Sequence, residues 1–586
     1  MLDFLFSAEP SLELRLRDAL RSVALDPDRP IRIFSGDWGC LAAAGRPYPC
    51  FDPIETDRYV IVVLGGPLPR HDFTVATASE GNDGTSWILD QWKLKRRLRW
   101  DEDLVGHFAV LCVDKSLGRV EAVTDINSFV PLYATGLRHK PRVLLLGSHV
   151  DGLAVAADRL HDVDEVSIGD FLTYTTVTYP YTLYRNVQQL PPAALHRLTD
   201  DNLLSEPYWT PRECDHPVAF DDCARRARDT LVNNVERICS GQETVGVLLG
   251  GGEDSRVVAS VSRRYAHTVA VTFADTHNRE VRIASRIADE LGIDWQLALR
   301  TPTHYLDNSD SSLMLAESHR QFLDAHSVGL LQHWPTDQRL LGGHLADVLL
   351  KGHYVAQKKW AGIALAVTEH PRDTHAPQDW PWVRQIVQRR SLHRDRIRQY
   401  RPQSSGEWAR LWPASQLLSL GHLAANRRLY PTYEPFIDSS FLKLAALSSQ
   451  RWTMNRRLFH AAMKPLLYDT RHVPHSKGFY PYYGLTINAP LQLLWAVRGR
   501  ILSAVNGLLQ RSRPNQGPWP VWNDLADGDA FRAHVGHLIA TTLPQRPSSV
   551  WPQVAEFTSE GAGSARFRAL QLLEWANWRS LVDRPN

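Results

Sequence analysis

Two hydrophobic rhythms divide the chain. Up to about residue 210 the apolar residues come in short runs separated by turn clusters. "IRIFSGDWGC", "RYVIVVLGG", "FAVLCVD", "VEAVTD" and "RVLLLGS" have strand length and β-type composition. Helical spacing is scarce there, with one candidate over Trp87 to Arg97. The pattern predicts an α+β sandwich that ends near "SEPYWTP", Ser205 to Pro211. The rhythm then changes. "AFDDCARRARDTLVNNVERI" repeats apolar residues three and four apart and predicts an amphipathic helix. Strand "TVGVLL", helix "SRVVASVSRRY", strand "TVAVTF", helix "REVRIASRIADELG" and strand "DWQLAL" follow. Alternating units with continuously apolar strands predict a parallel sheet covered on both faces. From about residue 310 the pattern is mostly helical. Two domains are expected, 1–211 and 212–586, the second an α/β domain with a helical C-terminal extension. "RQIVQRRSLHRDRIRQYR", Arg384 to Arg401, reads either as a solvated helix face or as a docking surface for a peptide or partner. "RSRPNQGPWPVWNDLADGD", Arg511 to Asp529, is interrupted by Pro and Gly and reads as a loop before the last helices.

Composition narrows the class. With 586 residues, 44% of them hydrophobic and 22% charged, the chain has the make-up of a soluble globular protein with room for large cores. A net charge of +2 provides no global field toward nucleic acid or anionic membrane. The six cysteines have no CxxC pairing, which argues against a zinc site and a disulfide framework and fits a reducing compartment. The opening "MLDFLFSAEP" has no basic region before an apolar run, and no apolar run approaches membrane-spanning length. A cytoplasmic protein is expected.

The chemistry starts at "VGVLLGGGEDSRVVAS", Val245 to Ser260. A glycine turn between a parallel strand and a helix aims backbone N–H groups at one point and makes an anion site. No Lys-Ser or Lys-Thr follows the glycines, which excludes a Walker A loop. The glycines are consecutive, which excludes the Rossmann spacing. A tight pyrophosphate loop suits the pattern, with Asp254 available for Mg²⁺.

The loop resembles that of the asparagine synthetase family, whose core is Ser-Gly-Gly-x-Asp-Ser. Later motifs follow in the family's order. "REVRIASRIADELGIDW" is similar to its Asp-Glu-x-x-x-Ala helix, with Glu280 and Ala284 in place. "LLGGHLADVLLKGHY" resembles Ser-Gly-x-Gly-x-Asp-Glu-x-x-x-Gly and keeps Gly343, Asp347 and Gly352. "YEPFIDSSFLKLA" resembles the Pro-Phe-Leu-Asp segment, and "VPHSKGFYP" resembles Arg-x-Lys-x-Gly-Phe, with Lys477. Upstream, "GHFAVLCVDKSLGRVEAVTDINSFVPLY" is similar to a glutaminase-domain run, with Ser128 in place of a glycine. The resemblance spans nearly the whole chain. It implies a glutaminase-like (Ntn-type) sandwich followed by an adenine-nucleotide α-hydrolase-like domain. It also implies ATP phosphates on Gly250, Gly251, Gly252 and Ser255, and adenosine against backbone near Leu248, Thr272 and Gly343. Mg²⁺ would sit on Asp254 and Asp347, and Lys477 would stabilise charge on phosphate and then on an oxyanion. Each residue has a plainer role available: Asp254 and Asp347 as caps, Glu280 as a first-turn helix acid, Lys477 as surface charge, His344 as a core histidine.

Departures from the family sharpen the expectation. Family glutaminase domains use an N-terminal cysteine. Here the chain opens Met1-Leu2-Asp3 and the first cysteine is Cys40, so a glutaminase-dead domain is expected, with the amine carried by the substrate. β-Lactam synthetases and lasso peptide cyclases share that absence. Pro431 stands where β-lactam-forming relatives carry a basic glutamate, with Tyr430 and Glu434 close by. His344 and Val348 replace two acidic family residues, which disfavours a free amino acid with an α-ammonium. The resemblance therefore implies a lasso peptide cyclase of the macrolactam-forming kind. Such an enzyme adenylates an Asp or Glu side chain of a precursor peptide, joins it to the peptide's N-terminal amine, and works beside a leader peptidase and a small peptide-recognition protein. The alternatives are a β-lactam synthetase-like ligase acting on a small β-amino acid, an ammonia-using asparagine synthetase, and a non-catalytic scaffold.

Overall fold

The computed structural model describes residues 3–583 apart from 46–47, 71–82, 95–97, 200–201, 215–217, 332–333, 361–362, 368–379, 414–419, 509–514 and 546–549. Two six-stranded antiparallel sheets build the N-terminal half. In the first, strands run in the order 188–189, 133–137, 140–147, 4–7, 39–44, 31–36; in the second, 203–207, 194–198, 119–124, 109–114, 59–64, 54–55. Side-chain alternation explains the layering. Phe4, Phe6, Leu41 and Ala43 join Val60, Val62, Leu111 and Val113 in one core, while Leu5, Ala42 and Leu145 point the other way. That outer face is covered by the helices Glu13–Ser22 and Val150–Ala156, through Leu16, Leu20 and Leu153.

"IRIFSGDWGC" differs from its expected single strand. It folds back as two paired strands, Ile31–Gly36 and Gly39–Ala44. Gly39 makes the fold-back possible at φ +122°, and a Cβ there would meet the Ser7 carbonyl oxygen at 2.2 Å. The helix expected at Trp87 to Arg97 spans Asp83–Lys93, its predicted end falling on residues outside those described.

The second half carries the predicted parallel sheet, in the order 294–299, 267–274, 244–248, 340–341, 432–433. Helices Phe220–Cys239, Asp254–Ser262 and Arg279–Leu291 cover it, the last stopped by Gly292 in the left-handed conformation. The expected architecture, an Ntn-type sandwich joined to a parallel-sheet domain with a helical C-terminal part, is the one observed.

Two features tie the halves together. One face of the arginine-rich helix, Val383–Arg398, leaves Arg384, Arg394, Arg396 and Arg398 exposed. The other is turned inward, where Arg389 pairs with Asp164 at 2.7 Å and Arg390 with Asp170 at 2.8 Å. Their guanidinium groups also lie over Tyr181 and Tyr174. The helix Gly563–Val582 returns to the N-terminal half, where Arg568 donates to the Leu172 carbonyl, Trp575 meets Tyr184 and Asp151, and Trp578 donates to the Ser22 carbonyl. No helix among the described residues is long and apolar enough to cross a membrane.

Candidate active site

The parallel strand Thr244–Leu248 ends in the glycine loop, and the loop ends in the helix Asp254–Ser262. The Gly250 N–H donates to Ser255 Oγ at 3.3 Å, and the Gly251 N–H donates to Glu280 Oε1 at 2.5 Å. Glu280 thus reaches the loop from the neighbouring helix and sits against the anion cradle itself. Gly343, at the end of the short strand beside this one, comes so close that a Cβ would stand 2.6 Å from the Ser255 nitrogen and 2.8 Å from the Asp254 carbonyl carbon. Only glycine permits that approach.

Buried Arg256 fastens a second loop to the first. It donates to the carbonyls of Gly252, Val473 and Pro474, at 3.2, 2.8 and 3.0 Å. The Ser476 N–H donates to the Gly251 carbonyl at 3.2 Å, and His475 stacks on Phe479. Lys477 stands exposed at the turn of this fastened loop.

Cavities lie on both sides of the glycine loop. The first, of about 630 Å³, is walled by Leu248, Gly250, Ser255, Thr272, Gly343, His344, His422 and Glu434. The second, of about 800 Å³, is walled by Glu253, Asp347, Lys351, Arg456, His475 and Lys477. Gly252, Asp254, Glu280, Pro518 and Trp519 face both. Asn278 and Arg300 donate to the Gly517 and Pro518 carbonyls, and Trp519 stacks on His326 at 3.8 Å. This segment forms part of the region expected to be a loop.

Asp254 and Asp347 come from different elements and converge on one point. Their Oδ1 atoms lie 2.6 and 2.5 Å from the Lys351 ammonium, which also meets Glu253 at 3.1 Å. Arg456 clasps Glu253 from the other side. Burial opposes the Glu253 charge, yet Lys351 and Arg456 outweigh it and hold the carboxyl well below its usual range. Among the described residues no group of three or more His, Cys, Asp or Glu is arranged to hold a metal alone. Two convergent carboxylates beside a phosphate loop nevertheless suit Mg²⁺, which takes one or two protein carboxylates and completes its shell with phosphate and water.

In the first cavity, the His344 N–H donates to Glu434 Oε2 at 2.8 Å, and His422 Nε2 lies 3.9 Å from Glu434 Oε1. The His344 and His422 rings are 4.0 Å apart, and both Nε2 atoms are buried with no hydrogen-bond partner among the described residues. Burial pushes the Glu434 carboxyl up to about 7 and pulls His344 down to about 4. Tyr430 is not brought to either cavity. Its hydroxyl donates to the Leu331 carbonyl at 2.9 Å, and its ring packs with Val269 and Val271.

Residues 226–469 match the profile of the asparagine synthase family, and residues 91–209 match that of the glutamine amidotransferase domain. A putative glutamine-hydrolysing asparagine synthetase of Mycobacterium tuberculosis is 26% identical over 286 residues, 43% of this chain and 41% of that protein. Glutamine-hydrolysing asparagine synthetase 2 of Bacillus subtilis is 26% identical over 242 residues, 38% of this chain and 31% of its own length. The chain thus spans about two fifths or less of the curated relatives it matches. Among solved structures, the allosteric regulatory enzyme of purine biosynthesis aligns with 52% of this chain and 82% of its own, at a TM-score of 0.24 and 10% identity, too loosely to carry an argument.

Within residues 226–469, sequence patterns point to Asp254, Asp347 and the glycines, place Glu253 in the loop without a role, and leave out Lys351 and His422. Lys351 carried one readable signal, its place four residues after Asp347, one helical turn on. Glu253 stands in the loop motif, but its partners Lys351 and Arg456 lie far along the chain, and a lone histidine at 422 says nothing of its place beside Glu434.

Proposed function

We propose that the protein is an ATP-dependent, AMP-forming carbon–nitrogen ligase that closes a macrolactam in a peptide, as a lasso peptide cyclase does. The observation that carries the ligase reading is the convergence of Asp254 and Asp347 beside the glycine loop, with the Lys477 loop fastened to it by Arg256 and Ser476. Gly250, Gly252 and Ser255 receive the phosphates, while Leu248, Thr272 and Gly343 border the nucleoside. Gly251 joins them once its N–H leaves Glu280. Mg²⁺ held by Asp254 and Asp347 supplies charge neutralisation between phosphates and an incoming carboxylate.

A substrate carboxylate oxygen attacks the α-phosphorus, and pyrophosphate leaves. The substrate's own amine then attacks the acyl carbon, loses its proton, and AMP leaves with the carboxyl oxygen. Lys477 faces the charge that develops on phosphate and then on the tetrahedral oxygen. Glu434, flanked by His344 and His422, is the proton acceptor in the first cavity, with a carboxyl poised near neutrality.

Two features favour an amine borne by the substrate over ammonia from glutamine. The Cys40 thiol donates to the Glu9 carbonyl, and burial pushes it up to about 12, which leaves no thiolate for attack. Asp3, next to the first strand, is locked in a buried ion pair with Arg428. Cavities on both sides of the loop leave room for a peptide to pass the phosphates. A precursor peptide, a leader peptidase and a small recognition protein belong to this reading.

Incubation of the purified protein with ATP, Mg²⁺ and Asp- or Glu-bearing core peptides tests it. The expected result is AMP, pyrophosphate and a peptide lighter by one water, with Lys477→Ala at least about 100-fold slower. Loss of water from a small β-amino acid, with peptides inert, would replace the peptide reading. Absence of AMP with every substrate would remove the ligase reading.

A further inference from the structure

Lys351 has no part in the scheme above, yet its ammonium stands at the centre of the site. Three carboxylates, Glu253, Asp254 and Asp347, lie 3.1, 2.6 and 2.5 Å from its nitrogen. The side chain is 9% exposed, and the ammonium lies 4.7 Å from the Phe459 ring centroid.

Asp254 and Asp347, whose Oδ1 atoms Lys351 touches, are the two carboxylates the ligase reading assigns to Mg²⁺. A cation bonded to both at about 2.1 Å cannot share that point with an ammonium already in contact with both, by volume or by charge. The glycine loop shows the mirror image. There Glu280, an anion of the chain itself, takes the Gly251 N–H that a phosphate would use. In the nucleotide-free site the chain's own ammonium thus stands between the aspartates, and its own carboxyl group stands on the loop.

We propose that Lys351 is a positioning residue that occupies the metal seat and makes metal entry depend on nucleotide. In the nucleotide-free protein the ammonium keeps the two aspartates together and excludes a divalent ion. Arrival of the triphosphate offers new acceptors at Gly252 and Asp254, which face both cavities, the ammonium moves onto those acceptors, and Asp254 and Asp347 become available to the metal. This inference rests on the ATP reading of the loop.

Titration of the full-length protein with Mn²⁺ in the absence of nucleotide, reading unbound Mn²⁺ by electron paramagnetic resonance, tests the competition without any turnover. Wild type is expected to show no site tighter than millimolar at the aspartates. Lys351→Met is expected to gain a site at least tenfold tighter, and adding Asp347→Asn to it removes that site. A folded Lys351→Met protein with no gain overturns the proposal. Should that variant not fold, wild type decides alone: a tight nucleotide-free Mn²⁺ site abolished by Asp347→Asn overturns the proposal. A site that forms only with α,β-methylene-ATP supports it. Equilibrium dialysis of that analogue against wild type separates the two readings, since failure to bind it sinks the ATP reading while the nucleotide-free titrations still judge Lys351.

Discussion

Glu434 concentrates the chemistry of the first cavity into one carboxyl. It is buried, accepts the His344 N–H, and its carboxylate lies where a Cβ on Gly342 would come within 2.1 Å of Oε1. Burial pushes its pKa up to about 7. If the ionised form accepts the amine proton, kcat/KM for ligation rises with pH through about 7 and levels off above it. Glu434→Gln is expected to lower the plateau by about 100-fold or more and to abolish that limb of the profile. A variant that keeps both plateau and limb would assign the titration elsewhere. At this scale the sequence was legible wherever chemistry and backbone coincide. Three glycines and an acid at a strand-to-helix turn announce an anion site, because the turn requires them. Lys351 was legible only through its place four residues after Asp347; its contact with Asp254, almost a hundred residues upstream, was not. His422 is similar: its place beside Glu434 exists only after the helix Gly421–Leu429 and the strand Thr432–Tyr433 are set side by side.

Elements explain why the site holds its shape. The strand Leu340–Leu341 delivers Gly343 onto the first turn of the helix Asp254–Ser262, at backbone-to-backbone contact. Gly343→Ala puts a methyl into that contact, costing about 1–3 kcal/mol of stability, and the two carboxylates are pushed apart. A fall of at least tenfold in affinity for a nonhydrolysable ATP analogue is expected by equilibrium dialysis, with circular dichroism showing that the fold persists. The long parallel strands could be read from their continuous apolar runs. The strands 340–341 and 432–433 could not, since two residues carry no period. They are nevertheless the ones that place Gly343 and Glu434. The hairpin at residues 31–44 was misjudged for a related reason: its turn is a matter of φ at Gly39, which composition hardly records.

At the scale of the whole molecule, a buried ionic cluster joins the halves. Arg428 donates to Asp3 at 2.8 Å, to Glu317 at 3.1 Å, and to the carbonyls of Leu315 and Ser148. Tyr133 donates to the same Glu317. Arg428→Ala removes the main partner of two buried carboxylates, leaving Glu317 to Arg320 at 3.3 Å and Asp3 to Arg427 at 3.7 Å, and is expected to cost about 3 kcal/mol, measured by urea unfolding. The cluster also sets the acid response. Burial opposes the charges of Asp3 and Glu317, but Arg428 leads the groups that hold both carboxyls below their usual values. Their contribution is therefore present above the unfolded carboxylate range and lost as pH falls through and below it. His344 and His422 act earlier. Burial pulls both down, so the unfolded chain binds more protons below about 6.5, and each costs about 1.4 kcal/mol per pH unit as pH falls toward 4. The midpoint of urea unfolding should decline from about pH 6.5 downward, with a second decline near pH 4. A flat response between pH 7 and 5 would mean that the buried histidines take up protons without unfolding.

The return of the helix Gly563–Val582 to the N-terminal sandwich sets a timetable for birth of the molecule. Leu172, whose carbonyl receives Arg568, leaves the ribosome 396 residues ahead of its partner. At 5–20 residues per second, the sandwich waits roughly 20–80 s for its cover. During that interval the greasy flank around Ile168, Phe171 and Leu172, which helix Val383–Arg398 reaches earlier through Trp382 and Ile386, still lacks its last cover. A ribosome that stalls in the last stretch of the message would leave behind a polypeptide whose first half had never been finished.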